Sequence, residues 1–196
     1  MNMIVDMLKE VIRLYSAGML HDAEKKCREI LAMDPNNPDA IHFLGIIALA
    51  GGNIPAAREL VGRAMELMPQ NPSCMLHMGN IAQNEGNLSE SEQWYRKAIE
   101  TDPQNKKALS NLGVIFTSQG KLDEAVQVLE SAVRIDPGYF EAHNNLGEVF
   151  RKQGRLEEAM ACVEKALALS PGMVHARWNR AILHLTKGDF ENGWQD

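Results

Sequence analysis

A chain of 196 residues has room for one ordinary domain or for an elongated array. Its 45% hydrophobic and 23% charged residues are those of a folded globular protein rather than a disordered one, and a net charge of −6 argues against the basic face of a nucleic-acid binder. The longest apolar stretch, Phe43 to Gly52, falls well short of the roughly 18 residues a membrane-spanning helix needs, so no membrane insertion is expected.

In chain order, the opening segment reads as a helix with an apolar stripe at Ile4, Met7, Val11 and Leu14. Asp6, Lys9, Glu10 and Arg13 interrupt it, so it is no signal peptide and the expected compartment is the cytoplasm. With no unit before it, the stripe is expected to lie open. From there the chain repeats itself. "SNLGVIFTSQGKLDEAVQVLESAVRIDPG", Ser110 to Gly138, returns as "NNLGEVFRKQGRLEEAMACVEKALALSPG", Asn144 to Gly172, an offset of 34 residues. Pro35, Pro69, Pro103, Pro137 and Pro171 keep that interval, as do Gly18, Gly52, Gly86, Gly120, Gly154 and Gly188. Further rows run through Gly45, Gly79, Gly113 and Gly147, through Ala64, Ala98, Ala132 and Ala166, and through Ala23, Ala57, Ser91, Ala125 and Ala159. A fixed period of this length is the mark of a solenoid.

Each row has a physical reason, clearest in the copy that starts at Phe140. Leu146, Val149 and Phe150 share one face of a predicted helix, which Gly154 ends by adopting a left-handed conformation. A second helix is expected from about Leu156 to Leu169, with Ala159, Val163 and Ala166 in one stripe, and Pro171 blocks its continuation. Small residues at Gly147, Ala159 and Ala166 let the two helices approach closely. One such pair cannot bury its apolar face alone, so neighbouring pairs must stack. The last copy supplies a first helix, a turn at Gly188 and a second helix starting near Phe190; the chain stops at Asp196, which suggests a segment of a longer protein.

These rows resemble the tetratricopeptide repeat over nearly the whole chain. In that register the units run 4–37, 38–71, 72–105, 106–139 and 140–173, with a sixth, 174–196, truncated in its second helix. The fourth supplies the family's pattern as Leu109, Leu112-Gly113, Phe116, Ala125, Leu129, Ala132 and Pro137; the first departs most, with Glu10-Val11 in place of Leu-Gly. The resemblance implies an all-α fold, a right-handed α-solenoid of antiparallel helix pairs, whose concave groove is lined by the first helix of each unit and receives peptide segments.

The family's groove places are the second, fifth, sixth, ninth, twelfth and thirteenth of a unit. Here they hold Leu8, Ile12 and Tyr15, then His42, Phe43, Ile46 and Leu49, an apolar half. Later units turn polar, with Asn80 and Asn84, then Lys107, Ser110, Asn111, Thr117 and Ser118, then Glu141, Asn144, Asn145, Glu148, Arg151 and Lys152. At the sixth place Asn111, Asn145 and Asn179 recur. An amide donates and accepts at once, so such a row can satisfy a peptide backbone without reading its side chains. This resembles the asparagine ladder in the repeat domain of O-linked N-acetylglucosamine transferase and its bacterial relatives. Asparagine also bonds readily within and between helices.

The expected partner is a protein or peptide, with no cofactor and no metal: the six histidines and Cys27, Cys74 and Cys162 match no metal spacing. The three cysteines read instead as reduced, buried small hydrophobes. "GVIFTSQGK" from Gly113 puts six residues between glycines where a phosphate loop needs four. The chain is therefore expected to be a non-catalytic scaffold, with the recognition arm of a larger bacterial glycosyltransferase as the alternative. Uncovered apolar residues at both ends, including Trp178, Ile182, Leu185, Phe190 and Trp194, are expected to favour self-association.

Overall fold

Asparagines set the start of five helices, and Asn87, which accepts the Glu90 N–H at 3.2 Å, is one of them. Asn37, Asn53, Asn71 and Asn105 likewise each accept a backbone N–H of the first turn that follows, from Ala40, Ala56, Cys74 and Ala108, and so satisfy donors that a helix start leaves without partners. Proline at the first or second position of three of these helices costs no hydrogen bond there. The computed structural model describes residues 3–193 and contains helices only among them. They run α1 Met3–Ser16, α2 Leu20–Met33, α3 Pro38–Ala50, α4 Ile54–Leu67, α5 Pro72–Asn84, α6 Leu88–Thr101, α7 Lys106–Ser118, α8 Leu122–Ile135, α9 Phe140–Lys152, α10 Leu156–Leu169, α11 Val174–Thr186 and α12 Phe190–Gly193. None of the described helices is long and apolar enough to cross a membrane.

The turn inside each pair is closed the same way six times. Gly18, Gly52, Gly86, Gly120, Gly154 and Gly188 have φ between 74° and 80°, where a Cβ would press on the chain. The following N–H reaches back to the last turn, as from Met19 to the Leu14 carbonyl and from Arg155 to that of Phe150, both at 2.9 Å. That is the Schellman closure of a helix end.

The chain divides into two units, Met1–Thr101 and Asp102–Asp196. In the first, α1 to α6 form three antiparallel pairs; in the second, α7 to α10 form two, followed by α11 with α12. Each is an all-helical solenoid segment of stacked pairs. The glycine row explains how closely the helices of a pair approach. A Cβ on Gly45 would stand 2.6 Å from Val61, on Gly79 2.4 Å from Tyr95, on Gly113 2.5 Å from Leu129 and on Gly147 2.6 Å from Val163. All four distances are sub-contact, so only glycine fits. The alanine rows, including Ala57, Ala64, Ala125, Ala132, Ala159 and Ala166, are fully buried. Ser91 keeps its place among them because its hydroxyl donates to the Gly79 carbonyl at 2.9 Å, so that its own buried polar group is paired.

The opening helix corrects one expectation. Val11 is fully buried and Leu14 only 6% exposed, in a core with Ala23, Cys27, Ile30, Ala40 and Ile47, against which Ile4 and Met7 also pack. The stripe is closed by α2 and α3 rather than left open. The first unit also shows how it tolerates the missing glycine: Val11 stands where Gly45 stands one period later, and Cys27 where Val61 stands. Bulk has moved from α2 to α1 with the contact kept. Cys27 and Cys74 are buried free thiols, while Cys162 is half-buried. At the other end Trp178 and Phe190 are exposed and Ile182 and Leu185 half-buried; Trp194 lies outside the described residues.

Candidate functional site

In the second unit the first helices of successive pairs, α7, α9 and α11, touch one another in series. Residues five places into one helix therefore meet residues six places into the next. Asn145 Nδ2 donates to Ser110 Oγ at 3.0 Å, and Asn179 Nδ2 donates to Asn144 Oδ1 at 2.9 Å. Asn145 and Asn179 thus each spend one N–H on the preceding helix and keep a carbonyl oxygen and a second N–H.

Around these bonds lies a cavity of about 510 Å³, lined by Ser110, Asn111, Tyr139, Glu141, Asn144, Asn145, Glu148, Met173, His175 and Asn179. A smaller one of about 220 Å³ continues it through Asn145 and Glu148 to Val114, Thr117, Ser118 and Lys152. Glu148 is held by Arg151 at 2.8 Å and by Lys152 at 4.0 Å. Burial, and next the charge of Glu141, push Tyr139 up to about 12, so its hydroxyl keeps its proton. Among the described residues no group of three or more His, Cys, Asp or Glu is placed to hold a metal ion.

Of the residues singled out in the sequence, Asn111, Asn144, Asn145 and Asn179 come together on this cavity. Arg151 stands beside it, committed to Glu148. Lys107 lies elsewhere, on a separate depression with Asp102, Lys106 and Asp136. The sequence reading passed over Tyr139, Met173 and His175. Tyr139 and Met173 precede the first residue of their helices, outside the places counted as groove-facing, and His175 is a second-place residue of the last copy.

In the first unit the candidate residues behave differently. Leu8, Tyr15 and Phe43 pack on the core around Val11 and Cys27, and Leu49 on a second core formed by Ile41, Val61, Cys74 and Ile81. Ile12 is exposed, at 49%. His42 and Ile46 are buried, 5% and 7% exposed, and present little surface. His42 Nε2 lies 3.1 Å from His77 Nδ1, which is 2.6 Å from the Ser73 carbonyl. A carbonyl only accepts, so His77 Nδ1 carries a hydrogen and His42 Nε2 faces it as an acceptor. Burial first, then the neighbouring His77, hold His42 down to about 3. Asn80 is anchored from behind by the buried Tyr95 hydroxyl at 2.8 Å, and Asn84 Nδ2 donates to the Asn80 carbonyl. The first unit's large cavity, about 470 Å³, lies among α2, α3 and α4 and contains none of the candidate residues.

Comparison with known proteins agrees with the repeat fold. Family models described as tetratricopeptide repeat match residues 14–74, 72–105, 94–127 and 140–173, and one described as TPR repeat matches 113–153. Comparison with curated proteins yields no match. Among solved structures, a thermophilic TPR protein of Thermus thermophilus is similar with a TM-score of 0.78 at 21% identity, over 92% of this chain and 98% of that one. PilW, a widely conserved type IV pilus biogenesis factor, is similar with a TM-score of 0.85 at 17% identity, over 100% and 91%. A chain of the APC/C hetero-tetramer Cut9–Hcn1 gives 0.87 at 18% identity, over 93% of this chain but 36% of that one. At such identities the likeness is one of fold. With the repeat models together spanning residues 14–173, the chain belongs to the tetratricopeptide repeat family.

Proposed function

We propose that this chain is a protein-interaction scaffold that binds an extended peptide segment of a partner along the first helices of its repeats, assigned as 4–37, 38–71, 72–105, 106–139, 140–173 and 174–196. The observation that carries the reading is the polar cavity on α7, α9 and α11, where three successive helices present asparagine amides to one space. Helices stack roughly 8–10 Å apart and an extended peptide advances about 3.3 Å per residue, so successive asparagines meet the bound backbone about every third residue. Scaffold use fits the tetratricopeptide family and an assembly such as Cut9–Hcn1, whose similar chain works inside a complex.

Site-directed photo-crosslinking in the native host tests it. A benzophenone amino acid at Ser118, which lines the continuation of the cavity, is expected to trap a protein partner, and the same group at the exposed Glu130 on α8 is not. Trapping at Glu130 alone would move the binding face to the second helices.

A further inference from the structure

Glu141 is the acid of this cavity that its surroundings leave unanswered. It opens α9 and lines the cavity, yet its Oε2 is buried with no hydrogen-bond partner. A buried carboxylate oxygen without a donor is costly, far more so than a paired one. The other acid of the cavity is already served, since Glu148 holds Arg151 and Lys152. Lys106 is engaged as well, paired with Asp136 and 5.1 Å over the ring of Tyr139. The remaining lining is mainly neutral amide and hydroxyl, with the His175 imidazole and the Met173 thioether, and contains no lysine or arginine. The net charge of −6 favours approach of a cation in the same sense.

We propose that the cavity on α7, α9 and α11 selects a segment carrying a basic side chain, a lysine ammonium or an arginine guanidinium, and that Glu141 is the group that pairs with it. The proposal rests on the peptide-groove reading and adds its specificity. The asparagines hold the main chain, and one side chain of the ligand turns inward to the carboxylate. About 510 Å³ accommodates it, within the roughly 300–1,000 Å³ of side-chain-sized and small-ligand pockets. Tyr139, kept protonated and bonded to Ser110, and Asn145, with a free carbonyl oxygen, also line the cavity, and the amide is the group that takes up the backbone beside that residue.

The test is selection of a bead-displayed library of random nine-residue peptides, N-acetylated and C-amidated so that side chains are the only cations, by the labelled full chain. Wild type is expected to enrich lysine or arginine at one position, and Glu141→Gln to lose that enrichment. A selected basic peptide should bind Glu141→Gln roughly tenfold more weakly, as befits loss of one charge-assisted hydrogen bond. The thermal midpoint of the free variant should be equal to or above wild type, because the buried oxygen that lacks a donor no longer belongs to a carboxylate; a lower midpoint would mean that Glu141 is already satisfied within the fold. Enrichment of other residues without basic ones would overturn the assignment and leave the groove reading standing. Basic enrichment that survives Glu141→Gln would place the cation elsewhere. No peptide retained above blank beads would overturn both.

Discussion

At the scale of single residues, packing in this chain is a matter of which partner of a pair is large. A leucine at Gly113 would thrust its Cβ to within 2.5 Å of Leu129, and Gly113→Leu is expected to cost about 1–3 kcal/mol or more in thermal denaturation. Cys27→Val should overpack against Val11, yet in the Val11→Gly background, which restores the arrangement of the later units, it should be tolerated. A double-mutant cycle in urea is expected to give a favourable coupling of about 0.5–3 kcal/mol; strict additivity would show that the two do not share a contact. The glycine rows were legible in the sequence because a close approach admits one residue type. The exchange of Val11 for Cys27 was not, since either residue alone reads as drift, and only burial shows them in one core. His42 adds a pH effect. Unfolded, it titrates near 6.5, and folded at about 3, so the unfolded chain takes up the proton first as pH falls. Stability is intact above about 6.5 and declines from there towards 3, by up to roughly 1.4 kcal/mol per pH unit. Denaturation of His42→Gln across that range should show a shallower slope; an unchanged one would assign the loss to other groups.

At the scale of elements, helix starts differ along the chain. Asn37, Asn71 and Asn105 cap α3, α5 and α7, whereas Tyr139 and Met173, one period on each, make no side-chain cap to α9 and α11. Asn105→Ala is therefore expected to lower stability by about 0.5–2 kcal/mol, and Met173→Asn to raise it by about 1 kcal/mol, both read from urea midpoints. No gain in the second variant would mean that α11 already satisfies its first turn another way. Helix order, turns and second-helix stripes could all be read from the 34-residue rows, because a repeat states each local rule several times. The cavity could be read only in part. The asparagine row was visible, but its bonds to Ser110 and Asn144 depend on how far one helix slides along the next, and the solitary oxygen of Glu141 depends on burial. Neither quantity is periodic in the sequence.

At the scale of the whole molecule, helices touch mainly those adjacent in the chain, so stability builds up from neighbour terms and need not be lost in one step. With Trp178 and Trp194 replaced by phenylalanine, Trp94 fluorescence is expected to report a urea midpoint different from that of circular dichroism. Coincident curves would establish all-or-none unfolding. The contacts between fifth and sixth places also bear on how such a chain can lengthen. A seam is written by two residues 35 apart, and neither lies in the same repeat as the other. Tandem duplication of 140–173 would bring a new copy of Asn145 against Asn144, the carboxamide pairing that Asn179 already makes. The same segment inserted after residue 71 would set its amide against the His42 imidazole and cut His77 off from it. Growth by copying thus repeats an existing pairing at the amide end of the array, whereas at the imidazole end it puts an amide donor in place of the His77 ring against His42.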